Sequence, residues 1–161
     1  MNRRIGSIIL LAIGMVTARA FAQATTSIDV YSPADLMAME KKLAQKADAS
    51  GLASEQIKKY SAVDYTTLAF RNQSGKAELH EKVADFFVVV EGSATLVSGG
   101  HVVNPATTAP GEVRGDSIQD GKETKLKKGD VVHIPPNTPH QLMVAKGDTF
   151  QYFVIKVQEV N

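Results

Sequence analysis

Four residues in this sequence have side chains that could meet at one point and hold a cation. Side chains two apart on a β-strand share a face, so Glu78 and His80 in the run AELHEK point the same way. Asp85 opens the apolar run DFFVVV, where a carboxylate needs a partner. His140 opens the run HQLMVA after the turn IPPNTP. There each proline fixes its own φ and Pro136 biases Pro135 towards extended geometry, so the histidine rides on stiff backbone. Oxygen and nitrogen donors of this kind suit a divalent ion such as Mn, Fe or Zn, and two histidines with one carboxylate is the pattern of open-site non-haem iron chemistry. A carboxylate left free by the ion, Glu78 in the first place, is the candidate general base. Each position also has a structural reading: His80 and His140 as hydrogen-bonded core histidines, Glu78 and Asp85 as carboxylates paired with Lys76, Lys82 or Arg71. His133 alternates with Val132 and Ile134 and reads as a packed or surface histidine, and His101 reads as a solvated turn residue. Arg114 is the candidate to hold an anionic substrate.

The elements that must position these residues are mainly short strands. From Tyr65 onward the runs YTTLAFRN, KAELHEK, DFFVVVEG, SATLVSGG, GDVVHI, HQLMVA and TFQYFVIKVQEV are separated by Gly, Asn and Asp turns, a pattern that predicts an antiparallel sandwich or barrel. Ahead of them, SPADLMAMEKKLAQKADASG predicts a helix. Ser32 is its cap, Pro33 and Asp35 stand in its first turn, Ser50-Gly51 mark its end, and Leu36, Met39 and Leu43 form a core-facing stripe. Residues 101–125 lack sustained periodicity and read as a long lid or binding loop. Phe87, Val89 and Leu142 are the expected apolar lining for a small organic ligand.

On these residues the chain resembles the cupin superfamily over roughly Tyr65 to Val157. In ELHEKVADFFVVVEG, Glu78 and His80 stand at the His-x-His positions, Asp85 follows after a gap of four at the Glu position, and Gly92 follows after a gap of six. In GDVVHIPPNTPHQLMV, Gly129, Pro135 and His140 fall at the spacing of the second motif, with Asn137 in place of its Gly and Val144 in place of its last Asn. Asn tolerates the left-handed backbone usually given to Gly, so the turn survives. Glu78 replaces a neutral imidazole with an anion, which favours harder ions. Asp85 is a methylene shorter than Glu, which leaves it either a ligand or a hydrogen-bond partner of a ligand histidine. The resemblance implies a small antiparallel β-barrel or jelly roll with an N-terminal α-helix, carrying a metal held by Glu78, His80, Asp85 and His140. It leaves open oxygenase, isomerase or lyase chemistry on the one hand, and non-catalytic binding with a decayed metal site on the other.

Composition bounds the rest. Met1 to Ala24 has Arg3 and Arg4, an apolar run from Ile5 to Val16 and the small-x-small sequence Ala22-Gln23-Ala24, the pattern of a cleavable export signal. Its apolar run is too short for a membrane span, and the expected location is periplasmic or secreted. The expected organisation is 1–24 signal, 25–63 helical segment and 64–161 barrel. Cleavage after Ala24 takes Lys+Arg from 18 to 15 against 17 Asp+Glu, a formal charge of −2 that gives no reason to expect nucleic acid. The sequence has 0 cysteines, which excludes disulfides and thiolate metal sites. TFQYFVIKVQEV reads as an exposed edge through which a homodimer would form.

Overall fold

The protein is described by a computed structural model covering residues 28–159, so the expected export signal lies outside the described residues. Ser32 Oγ accepts from the Asp35 amide at 3.2 Å and Asp35 Oδ2 accepts from the Ser32 amide at 3.3 Å, a reciprocal box that starts helix α1 at Pro33–Ala44. The helix stops short of the expected Ser50-Gly51. Asp48 Oδ1 accepts from the Ser50 and Leu52 amides at 2.8 and 3.3 Å and closes a turn there instead.

Twelve strands follow among the described residues: β1 (Leu52–Lys59), β2 (Tyr65–Arg71), β3 (Ala77–His80), β4 (Val83–Ser98), β5 (His101–Val103), β6 (Ala106–Ala109), β7 (Glu112–Gly115), β8 (Ser117–Gln119), β9 (Lys122–Lys127), β10 (Val131–Ile134), β11 (His140–Met143) and β12 (Phe150–Gln158). They form a curled antiparallel sheet in the order β1-β2-β12-β4-β11-β3-β7-β6, with β9 and β10 also on β4, and a separate β5-β8 ribbon. The predominantly β fold with one helix matches the expectation.

Four details depart from it. The segment read as helical also contains β1, which pairs with β2. The expected lid loop is instead two short hairpin-like pairings, β5 with β8 and β6 with β7, and β7 pairs with β3 beside the candidate site. DFFVVVEG and SATLVSGG are one strand, β4, and β12 lies between β2 and β4, so it offers no exposed edge for a dimer.

β4 serves both walls of the barrel because it turns a corner at Gly92. Its first half pairs with β10 and β12, and its second half with β9 and β11. Gly92 has φ 79°, and a Cβ there would lie 1.9 Å from the Thr149 carbonyl oxygen. Only glycine meets both conditions.

Alternation along the strands separates two apolar clusters. Ala69, Phe87, Val89, Leu96, Ile134, Leu142, Phe150, Tyr152 and Val154 fill the barrel interior. Leu68 and Phe70 face the other way and pack with Ala53 and Leu43, with Leu36 and Met39 against them, as the helical stripe predicts. Glu40, on the same helix, is only 1 % exposed, and neither carboxyl oxygen has a hydrogen-bond partner. Burial, reinforced by the Glu91 carboxylate and opposed by Lys128, pushes its pKa up to about 7.

Gly92→Ala is expected to destabilise the fold by about 2 kcal/mol or more, measured by urea unfolding. For Glu40 the native state keeps a proton that the unfolded chain releases near 4.5. Below that pH its burial therefore carries no ionisation penalty, and stability falls as pH rises to about 7. Glu40→Gln is expected to raise the unfolding free energy at pH 8 by up to about 3 kcal/mol and to change it little at pH 4.5.

Candidate metal centre

Strand register assembles the site. Glu78 on β3 is paired with His140 on β11 on one side and with Arg114 on β7 on the other. His80 is opposite Glu112 on β7. Asp85 on β4 is opposite both Lys156 on β12 and Ile134 on β10. The Pro-Pro turn is tied to β3: the Asn137 amide donates to the His80 carbonyl at 2.7 Å and Asn137 Nδ2 to the Glu81 carbonyl at 3.1 Å. Asn137 has φ 60°, the left-handed geometry expected of it.

The two histidines present the same nitrogen to the centre. His80 Nδ1 lies 2.7 Å from Glu112 Oε2, and His140 Nδ1 lies 2.9 Å from the Thr138 carbonyl oxygen. With each Nδ1–H donated to an oxygen, each Nε2 faces inward, the arrangement that orients metal-ligating histidines. Donor atoms of Glu78, His80 and His140 lie within 4.8 Å of one another. Glu78 Oε2 is 3.6 Å from His80 Nε2 and 4.0 Å from His140 Nε2. Two donors at ~2.1 Å from a tetrahedral ion would be about 3.4 Å apart, so these three fit a divalent ion with small adjustment.

Asp85, the fourth residue expected to ligate, reaches the same point, its Oδ2 lying 3.5 Å from His80 Nε2 and 3.9 Å from His140 Nε2, and it is also paired with a lysine. Lys156 Nζ donates to its Oδ2 at 2.7 Å and lies 2.6 Å from its Oδ1. The same ammonium sits 2.8 Å from His80 Nε2.

Neither a family model nor a curated protein matches the sequence. Solved structures do. The TT1209 protein from Thermus thermophilus is 16% identical with TM-score 0.53, over 74% of this chain and 93% of that one. A Cupin 2 conserved barrel domain protein from Salinispora arenicola CNS-205 is 18% identical with TM-score 0.46, over 68% and 77%. The polyketide cyclase RemF from Streptomyces resistomycificus is 19% identical with TM-score 0.47, over 66% of this chain and 64% of the cyclase, just under two thirds of its length. The chain has the cupin fold.

Within this cupin barrel the centre lies between two spaces. An inner chamber of about 30 Å³ is lined by Glu78, Asp85, His140 and Tyr152 with Phe87 and Leu142, enough for an ion or a water or two. An outer cavity of about 380 Å³ is lined by Glu78, His80, Asp85, Glu112, Arg114 and Lys156, among others. Arg71 and Tyr152 border both spaces. Arg71 Nε donates to the Tyr152 hydroxyl at 3.1 Å, and a Cβ at Gly75 would lie 2.8 Å from the Arg71 guanidinium, so that glycine makes room for it. Val89, expected in the lining, belongs to the apolar core. His133 stacks on Phe86 at 4.2 Å, and His101 is exposed, as expected of both.

Charge is closely balanced here. Burial opposes ionisation of Glu78, but His80, Arg114, His140 and Lys156 outweigh it and hold its pKa at about 2. A carboxylate that acidic is a poor general base near neutrality and a good partner for a cation. Burial likewise holds Asp85 back from ionising, yet His80 and Lys156 keep its pKa below the usual value. Burial also disfavours charge on His80, while Asp85 and Glu78 push its pKa up to about 9. The 2.8 Å contact between His80 Nε2 and Lys156 Nζ admits a single hydrogen, so the two share one positive charge. Burial pulls the pKa of His140 down and keeps it a neutral donor.

Lys156, Glu112 and Tyr152 are absent from the sequence-based site. The signal for two of them was periodic: Phe150, Tyr152, Val154 and Lys156 share the inward face of β12. A lysine continuing an apolar face needs an internal anion. Arg114 does reach the site, where it pairs with Glu112 at 3.1 Å and lies 3.7 Å from Glu78.

Asp85→Ala is expected to destabilise the protein by about 3 kcal/mol or more, because it strands the Lys156 ammonium, 14 % exposed, without its anion. Asp85→Ala/Lys156→Met should recover most of the loss in the same urea titration.

Proposed function

We propose that this protein is an exported, metal-binding cupin that takes a small, polar organic ligand. One observation carries the proposal: Glu78, His80 and His140 converge, and both histidines are oriented through Nδ1 so that Nε2 faces the same point. These three residues would hold the ion, with Asp85 as a neighbour anchored by Lys156. Bound there, a divalent ion supplies Lewis acidity or an oxygen-binding centre. The export assignment rests on the pattern of Met1 to Ala24.

The protein's own residues suggest the ligand class. Glu78, Asp85 and Glu112 are matched by Arg71, Arg114 and the shared His80–Lys156 charge. A divalent ion therefore leaves the site with a positive excess, which favours an anionic organic ligand such as a carboxylate. Arg114 and Arg71 are the groups that would orient it. The Tyr152 hydroxyl accepts from Arg71, its pKa raised by burial, and so keeps a hydrogen to donate to the ligand.

The second reading is a metal-free binding protein, and Lys156 favours it. Its ammonium already rests against Asp85 and His80 where a cation is wanted.

Elemental analysis of the mature protein, purified without chelator or a metal-binding tag, is expected to give about one divalent ion per chain, lost in His80→Ala and His140→Ala. Addition of a chelator should then lower the melting temperature of the wild type alone. A folded wild type free of metal, which takes up none of added Mn, Fe or Zn, would favour the second reading.

A further inference from the structure

We infer that Lys156 is a built-in competitor of the metal ion, a resident ammonium that regulates loading of the centre. The inference rests on the proposal that Glu78, His80 and His140 bind metal. An imidazole lone pair that ligates a cation cannot at the same time accept from an ammonium. His80 Nδ1 is committed to Glu112, so Nε2 is the only nitrogen left for either partner, and Lys156 Nζ lies 2.8 Å from it. The same ammonium donates to Asp85 Oδ2 at 2.7 Å and lies 2.6 Å from Oδ1, which has no hydrogen-bond partner of its own. Lys156 therefore withholds two of the four candidate donors while it stays in place.

The arrangement is built into the barrel wall. Lys156 and Asp85 are directly opposed on neighbouring strands β12 and β4, and the lysine shares the inward face with Tyr152 and Val154. Asp85 is 9 % exposed and Lys156 14 % by side chain, so neither charge is compensated by solvent in full. Loading an ion requires the ammonium to leave His80 Nε2, while Asp85 remains its anchor. The centre then has three protein donors and keeps positions open for an exogenous ligand. Removing the ammonium has two effects on loading: it ends a repulsion at close range, and it releases Asp85 as a fourth donor. Both strengthen binding.

Equilibrium binding of Mn²⁺ alone, followed by loss of the free-ion EPR signal in the chelator-stripped protein at fixed pH, tests this without reference to activity. Lys156→Met is expected to bind Mn²⁺ about tenfold tighter than wild type, or more. Lys156→Arg, which keeps the charge, should gain little. Where Lys156→Met does not fold, Asp85→Asn/Lys156→Met removes both charges together and should still bind more tightly than wild type through the three remaining donors. Unchanged or weaker affinity in the folded variant lacking Lys156, with binding still abolished by His140→Ala, would overturn the competitor role and leave the metal centre standing. Absence of Mn²⁺ and Zn²⁺ binding in wild type and in every folded Lys156 variant would overturn the metal centre itself, and the competitor role with it.

Discussion

Charge inside a small β-barrel has to be paired within the wall, and the Asp85–Lys156 contact is where this structure meets that requirement. The two residues face each other across β4 and β12, the adjacent strands that connect the helix-backed wall to the rest of the sheet. Burying either alone would leave an uncompensated ion against Ile134, Phe87 and Val154. Their pairing keeps the inner end of the barrel polar while the remainder of the same faces, Phe150, Tyr152, Val154, Phe87 and Val89, closes as an apolar core.

Around that pair the other charges are placed by cross-strand opposition. Glu78 lies between His140 and Arg114, and His80 faces Glu112. Each contact lies on a pleat where neighbouring side chains are close enough to interact, so the register of β3, β7 and β11 is also the wiring of the centre. The histidine tautomers follow from the same register, because Glu112 takes the Nδ1 hydrogen of His80 and leaves Nε2 turned inward. In the turn before β11 the Thr138 carbonyl performs the equivalent task for His140, and the Asn137 hydrogen bonds to the carbonyls of His80 and Glu81 tie that turn to the end of the strand carrying Glu78 and His80.

The resulting centre is balanced without an added ion and would be cationic with one. This contrast links the two functional readings physically. A barrel whose acids are already matched by arginines and a shared His–Lys charge can remain folded without metal, whereas a loaded one gains a reason to attract an anion into the outer cavity. The depressed pKa of Glu78 belongs to the same balance, because the cations that surround it trade basicity for affinity towards positive charge.

Much of this was legible in the amino-acid order, because local rules govern it. Period-two alternation marked the strands, Ser32-Pro33 with Asp35 marked the start of the helix, and the spacing of Glu78, His80, Asp85 and His140 brought out the residues that converge. Partnership was not legible, because it depends on which strands become neighbours. β12 read as an exposed edge and is an interior strand, which turned Lys156 from one more charged residue into the counter-ion of Asp85. Residues 101–125 read as a loop, since strands of three or four residues are too short to display a period, yet their β7 carries Glu112 and Arg114 to the centre. Sequence alone thus determined the strand-rich class and the candidate donors, for these depend on side-chain type and spacing. The tertiary structure decided which charge faces which donor, because register between distant strands is set by packing of the whole barrel.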